Sequence, residues 1–113
     1  MYKQGDIVLV PFPFTDLKGE KVRPALVLSF KKTGDDITLC FISSIIPNKI
    51  LDNEVFLKKD NKNFKNTGLK VDSLIKVTKI ATLEKNVVLG KLGDLDIENF
   101  SKVKVIIKKY FGL

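Results

Sequence analysis

The sequence predicts a mainly β protein, in which five or six short strands form a small, strongly bent antiparallel sheet or barrel and one C-terminal helix closes a side. Short apolar runs alternate with turn residues over most of the chain, which is typical of strands. After about residue 95 the apolar spacing changes to three and four residues, which is typical of a helix. A chain of 113 residues with 44% hydrophobic residues has enough apolar side chains for one core, so we expect a single domain over residues 1–113.

The first two strands are predicted at residues 6–10 and 24–30. Pro11 lacks a backbone donor, so we expect it to end the first strand. Residues 11–21 then form a loop with two prolines, two phenylalanines and mixed charges. The second strand is continuously apolar, which favours a central place in the sheet.

Four further strands follow in the prediction. Residues 31–36 form a hairpin turn in which Gly34 has a positive φ, and residues 37–43 form the third strand. Residues 54–57 form a short strand, and residues 58–70, which are polar apart from Phe64 and Leu69, form a mobile surface loop. The last two strands are expected at residues 71–80 and 87–92.

The C-terminal segment has the pattern of an amphipathic helix. Phe100, Val103, Ile107 and Tyr110, with Ile106 beside them, repeat at three- and four-residue spacings. The expected end signals are also present, namely Asp96 as the N-cap, Glu98 in the first turn, Lys108 and Lys109 in the last turn, and Gly112 after it.

Composition narrows the function. The net charge of +7 favours a polyanionic partner such as nucleic acid or an acidic protein segment, although dispersed lysines also serve solubility alone. The chain has no histidine, and Cys40 is its single cysteine, which argues against a metal site, a histidine-dependent triad or an internal disulfide. With no signal peptide or long apolar run, we expect a soluble cytoplasmic protein with no membrane contact, no metal and no cofactor.

Arg23 is the candidate anion ligand. It is the one arginine beside nineteen lysines, and it stands before Pro24 where the loop enters the second strand. Its planar fork can hold a phosphate through two hydrogen bonds. If the second and third strands pair as a hairpin, Arg23 and Ser43 lie at the same edge of the sheet. Together they could bind a phosphodiester, whereas a serine at a strand end can also simply satisfy backbone groups.

Four segments together resemble the MazF/PemK family of toxins from bacterial toxin–antitoxin systems. They are Gly5-Asp6-Ile7-Val8, Arg23-Pro24-Ala25-Leu26-Val27-Leu28-Ser29, Phe41-Ile42-Ser43-Ser44 and the terminal helix, and Pro13-Phe14-Thr15-Asp16 resembles one PemK-like branch. The resemblance implies an SH3-like barrel that forms a homodimer. It also implies a metal-independent endoribonuclease that cuts single-stranded RNA at short sequences. A cognate antitoxin with an acidic, disordered tail would block the site.

The resemblance assigns catalytic roles to Arg23 and Ser43. Some members use a basic residue and an aspartate two positions apart in the later strand. These positions fall on Lys76 and Thr78, and threonine cannot act as a carboxylate base. The histidine that some members carry in the first loop is also missing. Glu20 and Asp16 are then the available candidates for acid–base work, and a solvated loop charge is the alternative role for each.

The remaining candidate RNA-binding residues are stacking, hydroxyl and lysine side chains. We expect Phe14, with Phe12 as a second candidate, to stack on bases, while the hydroxyls and lysines contact the backbone; these are Thr15, Lys18, Lys21, Ser44, Lys76, Thr78 and Lys79. Two other functions stay open from the sequence. One is a nucleic-acid-binding SH3-like module without catalysis, and the other is a toxin of the same fold that acts on a protein such as gyrase.

Overall fold

The fold is described here from a computed structural model, which describes residues 2–12, 21–31 and 34–113. Its strands are β1 (Asp6–Phe12), β2 (Lys21–Phe30), β3 (Asp36–Ser43), β4 (Glu54–Leu57), β5 (Ser73–Glu84) and β6 (Gly90–Asp94). Helix α1 (Ile97–Phe111) follows, and short 3₁₀ turns lie at Phe64–Thr67 and Lys85–Val87. The predicted order of strands followed by one helix is confirmed.

All strand pairs are antiparallel, and they form one curled sheet in the order β4-β5-β3-β2-β1-β6. The central place predicted for β2 is confirmed, because it lies between β1 and β3. The sheet bends as a half-barrel, and α1 packs near β4 and β5. The predicted mainly β fold class with a closing helix is therefore confirmed.

Apolar side chains are buried on both faces of the sheet because neighbouring strand residues alternate between the faces. The helix face packs under α1 and includes Ile7, Leu26, Cys40, Ile42, Val55, Ile75 and Val103. The second face includes Val8, Val10, Ala25, Val27, Ile37 and Leu39, all fully buried. Side chains on this second face that lie at the ends of the strands are therefore at the rim of the curled sheet.

Two local predictions in the first half are wrong. Pro11 does not end β1, because it pairs with Val22 and the strand continues to Phe12. Proline is tolerated there since β1 pairs with β6 only as far as Leu9, which leaves that side of Pro11 without a ladder. Gly34 does not have a positive φ; its N–H bonds to the Lys31 carbonyl at 3.4 Å, and the last residue of such a turn needs no left-handed backbone.

The predicted surface loop at residues 58–70 is mostly exposed, but it contains a 3₁₀ turn that packs against the sheet, which the prediction missed. Phe64 and Thr67 are buried, and the Thr67 hydroxyl donates to the Phe64 carbonyl at 2.6 Å. Gly68 follows with φ +74°. The backbone of the turn packs closely on β6, where Gly93 faces the carbonyls of Asn66 and Thr67. The polar sequence of residues 58–70 does not reveal this contact, because the contact depends on β6, which is distant in sequence.

The later boundaries differ modestly from expectation. β5 runs to Glu84 rather than residue 80, and β6 begins at Gly90 after the second 3₁₀ turn rather than at residue 87. In α1, Asp96 accepts a hydrogen bond from the Asn99 N–H at 3.1 Å, and Gly112 has φ +69°, so both predicted ends are confirmed. Tyr110 is the exception on the predicted apolar face, since the whole last turn is exposed together with Phe111.

Candidate functional site

A cavity of about 220 Å³ lies at the rim where β2 begins and β3 ends. Its lining residues are Arg23, Phe41, Ile42, Ser43, Ile45, Lys76 and Lys79. Four of the residues that the sequence analysis selects therefore share one cavity, although they come from three strands. They are Arg23, Ser43, Lys76 and Lys79.

Strand register explains the meeting of Arg23 and Ser43. Ala25 pairs with Phe41, so the residue two before Ala25 and the residue two after Phe41 stand opposite each other. Arg23 also pairs with Val10 of β1, a residue of the second face. The Arg23 and Ser43 side chains therefore both lie on this second face, at the rim of the sheet.

A bulge in β5 adds the lysines. Phe41 pairs with Lys76 while the preceding residue, Cys40, pairs with Ile80, so residues 77–79 have no partner in the register with β3. Bulges of this kind turn side chains away from the regular alternation. Lys76, before the bulge, and Lys79, within it, thus reach the same cavity.

The Ser43 hydroxyl has a structural bond of its own. Its Oγ accepts a hydrogen bond from the Ile45 N–H at 3.0 Å, as a serine at a strand end often does. A hydroxyl that accepts one bond keeps its hydrogen as a donor. The structural contact is therefore compatible with donation to an anion in the cavity.

The cavity is electropositive. Within the described residues, no carboxylate lies within 4.0 Å of the Arg23 or Lys79 side-chain nitrogens. Lys76 is the exception, because its Nζ lies 3.4 Å from Oε2 of Glu54 on the adjacent strand β4. Glu54 escaped the sequence analysis, since its approach to Lys76 depends on a strand register that no local pattern encodes.

The other predicted RNA-binding positions stand apart from this lining. Thr78 accepts a hydrogen bond from the Asn53 side-chain N–H at 3.1 Å, Ser44 is exposed on the chain leaving β3, and Lys21 is exposed at the start of β2. None of these three lines the cavity. The predictions for Phe14, Thr15, Asp16, Lys18 and Glu20 fall outside the described residues, as does the side chain of Phe12.

The Cys40 thiol and the Asp6 carboxylate are also buried, in structural rather than catalytic surroundings. Burial raises the pKa of the Cys40 thiol to about 12, so the thiol stays protonated and is a poor nucleophile at neutral pH. Asp6 is fully buried against two lysines. Within the described part of the chain, no group of three or more cysteine and carboxylate side chains could hold a metal ion.

A larger cavity, of about 400 Å³, lies between residues 56–67 and the start of α1. Asp96 and Glu98 contribute negative charge there beside Lys58, Lys62 and Lys102. It contains none of the candidate catalytic residues. The smaller rim cavity is the candidate site because the predicted phosphate ligands converge on it.

Solved structures with this fold include MazF toxins and a mycobacterial endoribonuclease. MazF from Deinococcus radiodurans superposes with a TM-score of 0.75 at 20% identity, covering 99% of this chain and 97% of that one. The Mycobacterium tuberculosis toxin MazF-mt6 gives 0.71 at 19%, with 96% and 97% covered. A mycobacterial endoribonuclease in complex with its cognate antitoxin gives 0.74 at 16%, with 100% and 97% covered.

These likenesses define the class by fold: a MazF-type curled sheet with a terminal helix, here with a basic rim. The chain belongs to the PemK-like, MazF-like toxins of type II toxin–antitoxin systems, whose family model matches residues 3–111. The predicted family is thereby confirmed. No curated protein matches the chain in sequence. No helix in the described residues is both long enough and apolar enough to span a bilayer.

Proposed function

We propose that this toxin is a metal-independent endoribonuclease that cuts single-stranded RNA at short sequences. The observation that carries the proposal is the convergence of Arg23, Ser43 and two lysines on one cavity of a MazF-like toxin. That cavity offers donors and positive charge to a phosphodiester beside the apolar side chains of Phe41, Ile42 and Ile45. A mycobacterial structure of the same fold is named an endoribonuclease, which supports the same activity here.

The proposed reaction uses the RNA's own 2′-hydroxyl. Its oxygen attacks the adjacent phosphorus while the bond from phosphorus to the 5′-oxygen breaks, giving a 2′,3′-cyclic phosphate and a 5′-hydroxyl. A base takes the 2′-hydroxyl proton and an acid returns a proton to the 5′-oxygen. Glu20 and Asp16 are the candidates for these proton transfers.

Arg23 and Ser43 stabilise the charge that builds on the phosphate in this scheme. The guanidinium donates two parallel hydrogen bonds to non-bridging oxygens, and the Ser43 hydroxyl donates a third. Removing a donor that acts mainly in the transition state typically costs about 3 kcal/mol. Arginine keeps its proton at neutral pH, so it acts here as a charge and a clamp rather than as the general acid.

Two partners accompany this function. A cognate antitoxin with an acidic tail would occupy the rim, where its carboxylates would meet the Arg23 and lysine side chains. Structures of MazE–MazF from Deinococcus radiodurans and of the mycobacterial endoribonuclease with its antitoxin support such a partner. We also propose that the chain acts as a homodimer in the cytoplasm.

The test incubates purified protein with an unstructured RNA in the presence of a chelator and separates the products by length and end group. Wild type should release fragments with cyclic-phosphate and 5′-hydroxyl ends. Arg23→Ala should lower the rate by at least a hundredfold, and Arg23→Lys should restore only a small part because lysine lacks the fork. Lys58→Ala is the control, since this exposed lysine lies outside the rim cavity.

Activity in Arg23→Ala equal to wild type, with an unchanged circular dichroism spectrum, would refute the proposed site. A requirement for added magnesium would refute the metal-free mechanism. One observation favours a second function: within the described residues, no carboxylate lines the cavity, so a base is not in place there. A non-catalytic nucleic-acid-binding module would bind the RNA in a salt-dependent way and leave it whole.

A further inference from the structure

Glu54 is an enclosed carboxylate one step behind the rim cavity. Its side chain is only 7% exposed, whereas that of Lys76 is 33% exposed. Oε2 lies 3.4 Å from the Lys76 Nζ, and Oε1 accepts a hydrogen bond from the Leu51 N–H at 2.9 Å. Both carboxylate oxygens are therefore engaged, one by a backbone donor and one by an ammonium group.

The backbone around Glu54 is held in place as well. The Glu54 N–H bonds to the Leu51 carbonyl at 3.2 Å, which makes the contact between these two residues reciprocal. Asn53 adds a side-chain hydrogen bond to Thr78, so this turn is tied to β5 on both sides of Val77. The carboxylate thus occupies a fixed position relative to the bulge of β5.

Lys76 belongs to two environments at once. It lines the cavity with Arg23 and Ser43, yet its ammonium group contacts Glu54, which does not line that cavity. A lysine side chain has several rotatable bonds, and ordering it costs conformational entropy. Because the fixed Glu54 carboxylate already orders the Lys76 side chain, this entropy is lost before the substrate binds. An ammonium group has three donors, so one can face Glu54 while two remain for an anion.

We propose that Glu54 is a positioning residue that holds the Lys76 ammonium group at the rim cavity, where Lys76 contacts the phosphate undergoing cleavage. This inference rests on the proposed nuclease function. Glu54 acts only through Lys76, because it has no surface in the cavity. With Glu54 in place, Lys76 is ordered to meet the charge that develops on the phosphate, so its loss is expressed in kcat more than in KM.

The experiment is a double-mutant cycle on RNA cleavage. Glu54→Gln keeps an acceptor for the Leu51 N–H but removes the charge, and Lys76→Met keeps side-chain length but removes the ammonium group. We expect Glu54→Gln to lower kcat about tenfold with KM changed less than about twofold. Lys76→Met should lower kcat at least as much, and the double variant should be no slower than Lys76→Met alone.

Glu84→Gln provides the matched control, because it makes the same chemical change at the exposed far end of β5. It should leave kcat unchanged. Thermal melting of every variant separates positioning from folding, since a purely structural Glu54 would lower the melting temperature and would slow the Lys76→Met background as much as the wild type.

Three results would overturn the inference. They are wild-type kcat in Glu54→Gln, a further tenfold loss when Glu54→Gln is added to Lys76→Met, and a loss confined to KM. Each of these requires an active wild type, so each leaves the proposed nuclease function standing. Wild-type protein that binds RNA without cutting it would instead refute the nuclease function and the role of Glu54 together.

Discussion

The Asp6 carboxylate has no exposed surface, and three donors surround it. Oδ1 lies 2.9 Å from the Lys3 Nζ and 3.1 Å from the Lys91 Nζ, while Oδ2 accepts a hydrogen bond from the Lys3 backbone N–H at 2.9 Å. Burial raises the pKa of Asp6, but the hydrogen bonds from Lys3 and Lys91 outweigh burial and keep the pKa below its usual value. Asp6 thereby ties the N-terminal residues and β6 to the start of β1.

Replacing Asp6 with asparagine should lower the free energy of unfolding at pH 7 by about 2 kcal/mol, because two ammonium groups lose their counter-ion. The folded-state pKa of Asp6 is depressed, so its contribution is present above the unfolded-state value of about 4 and is lost as pH falls through the lower folded-state value. Urea unfolding of wild type and Asp6→Asn should therefore show a gap that narrows as pH falls below about 4.

Asp35→Asn is the matched control for this measurement, because Asp35 is exposed and its carboxylate forms no ion pair among the described residues. It should leave stability near that of wild type throughout. A gap for Asp6→Asn that stays constant with pH would show that packing of the side chain, rather than its charge, supplies the stability.

At the level of secondary structure, the contact between the 3₁₀ turn and β6 joins two segments by their backbones. A Cβ on Gly93 would come closer than van der Waals contact to the carbonyl oxygens of Asn66 and Thr67. On the other side, a Cβ on Gly68 would meet the Leu92 backbone, and Gly68 also needs its left-handed φ. Glycine at both positions lets the turn lie flat on the strand and bury Phe64 on the helix face.

Gly93→Ala should consequently destabilise the protein by about 2 kcal/mol or more, since rigid backbone on the opposite side cannot move away cheaply. Gly90→Ala is the matched control in the same strand, because a Cβ there meets nothing within 4 Å. Thermal and urea unfolding of the two variants measure the difference. Equal stability of the two would show that the turn shifts without cost.

The elements differ in how far the sequence predicts them. Helix α1 is marked by its own residues, from the Asp96 cap to Gly112, so its ends follow from local chemistry. The 3₁₀ turn is not marked by its own residues, because its segment is polar and its burial arises from contact with β6. The extension of β1 past Pro11 also depends on a neighbour, namely the early end of β6.

The same distinction applies to the site. Arg23 and Ser43 could be placed at the same edge from the sequence, because a short connection joins β2 and β3 into a hairpin. Their exact pairing also depends on a register shift between Val27 and Ser29, which no local pattern predicts. Lys76 and Lys79 reach them only through the β5 bulge, and Glu54 only through the pairing of β4 with β5. The long connection between β3 and β4 leaves that pairing unspecified by any local pattern.

For the molecule as a whole, the net charge of +7 is unevenly distributed, because three cations lie together at one rim. They are the cavity residues Arg23, Lys76 and Lys79. Positive charge spread over the remaining surface would attract RNA without orienting it. In the proposed nuclease, the cations at the rim instead place the phosphate backbone beside the Ser43 hydroxyl. Affinity for RNA should therefore depend steeply on salt, in proportion to the phosphates neutralised.

Binding of an RNA made uncleavable by 2′-O-methylation, measured by fluorescence anisotropy at several salt concentrations, tests this. Lys79→Ala should reduce the slope of log K against log salt by about 0.7, the value for one phosphate contact on a single strand. Lys109→Ala, near the end of α1 and outside the rim cavity, should leave the slope unchanged. Equal slopes for both variants would place the RNA on another surface.

Residues 77–79 form the bulge of β5, where three residues have no partner in β3. The pairing of Ser43 with Leu74 and the pairing of Asp36 with Glu84 lie on opposite sides of this bulge. Val77 is fully buried, so a residue gained or lost at positions 78 and 79 would leave the paired halves of β5 in register with β3, whereas the same change beside Leu74 would shift that register. The bulge is thus the point on the rim where β5 can accommodate a change of length while the ladder with β3 on either side is kept.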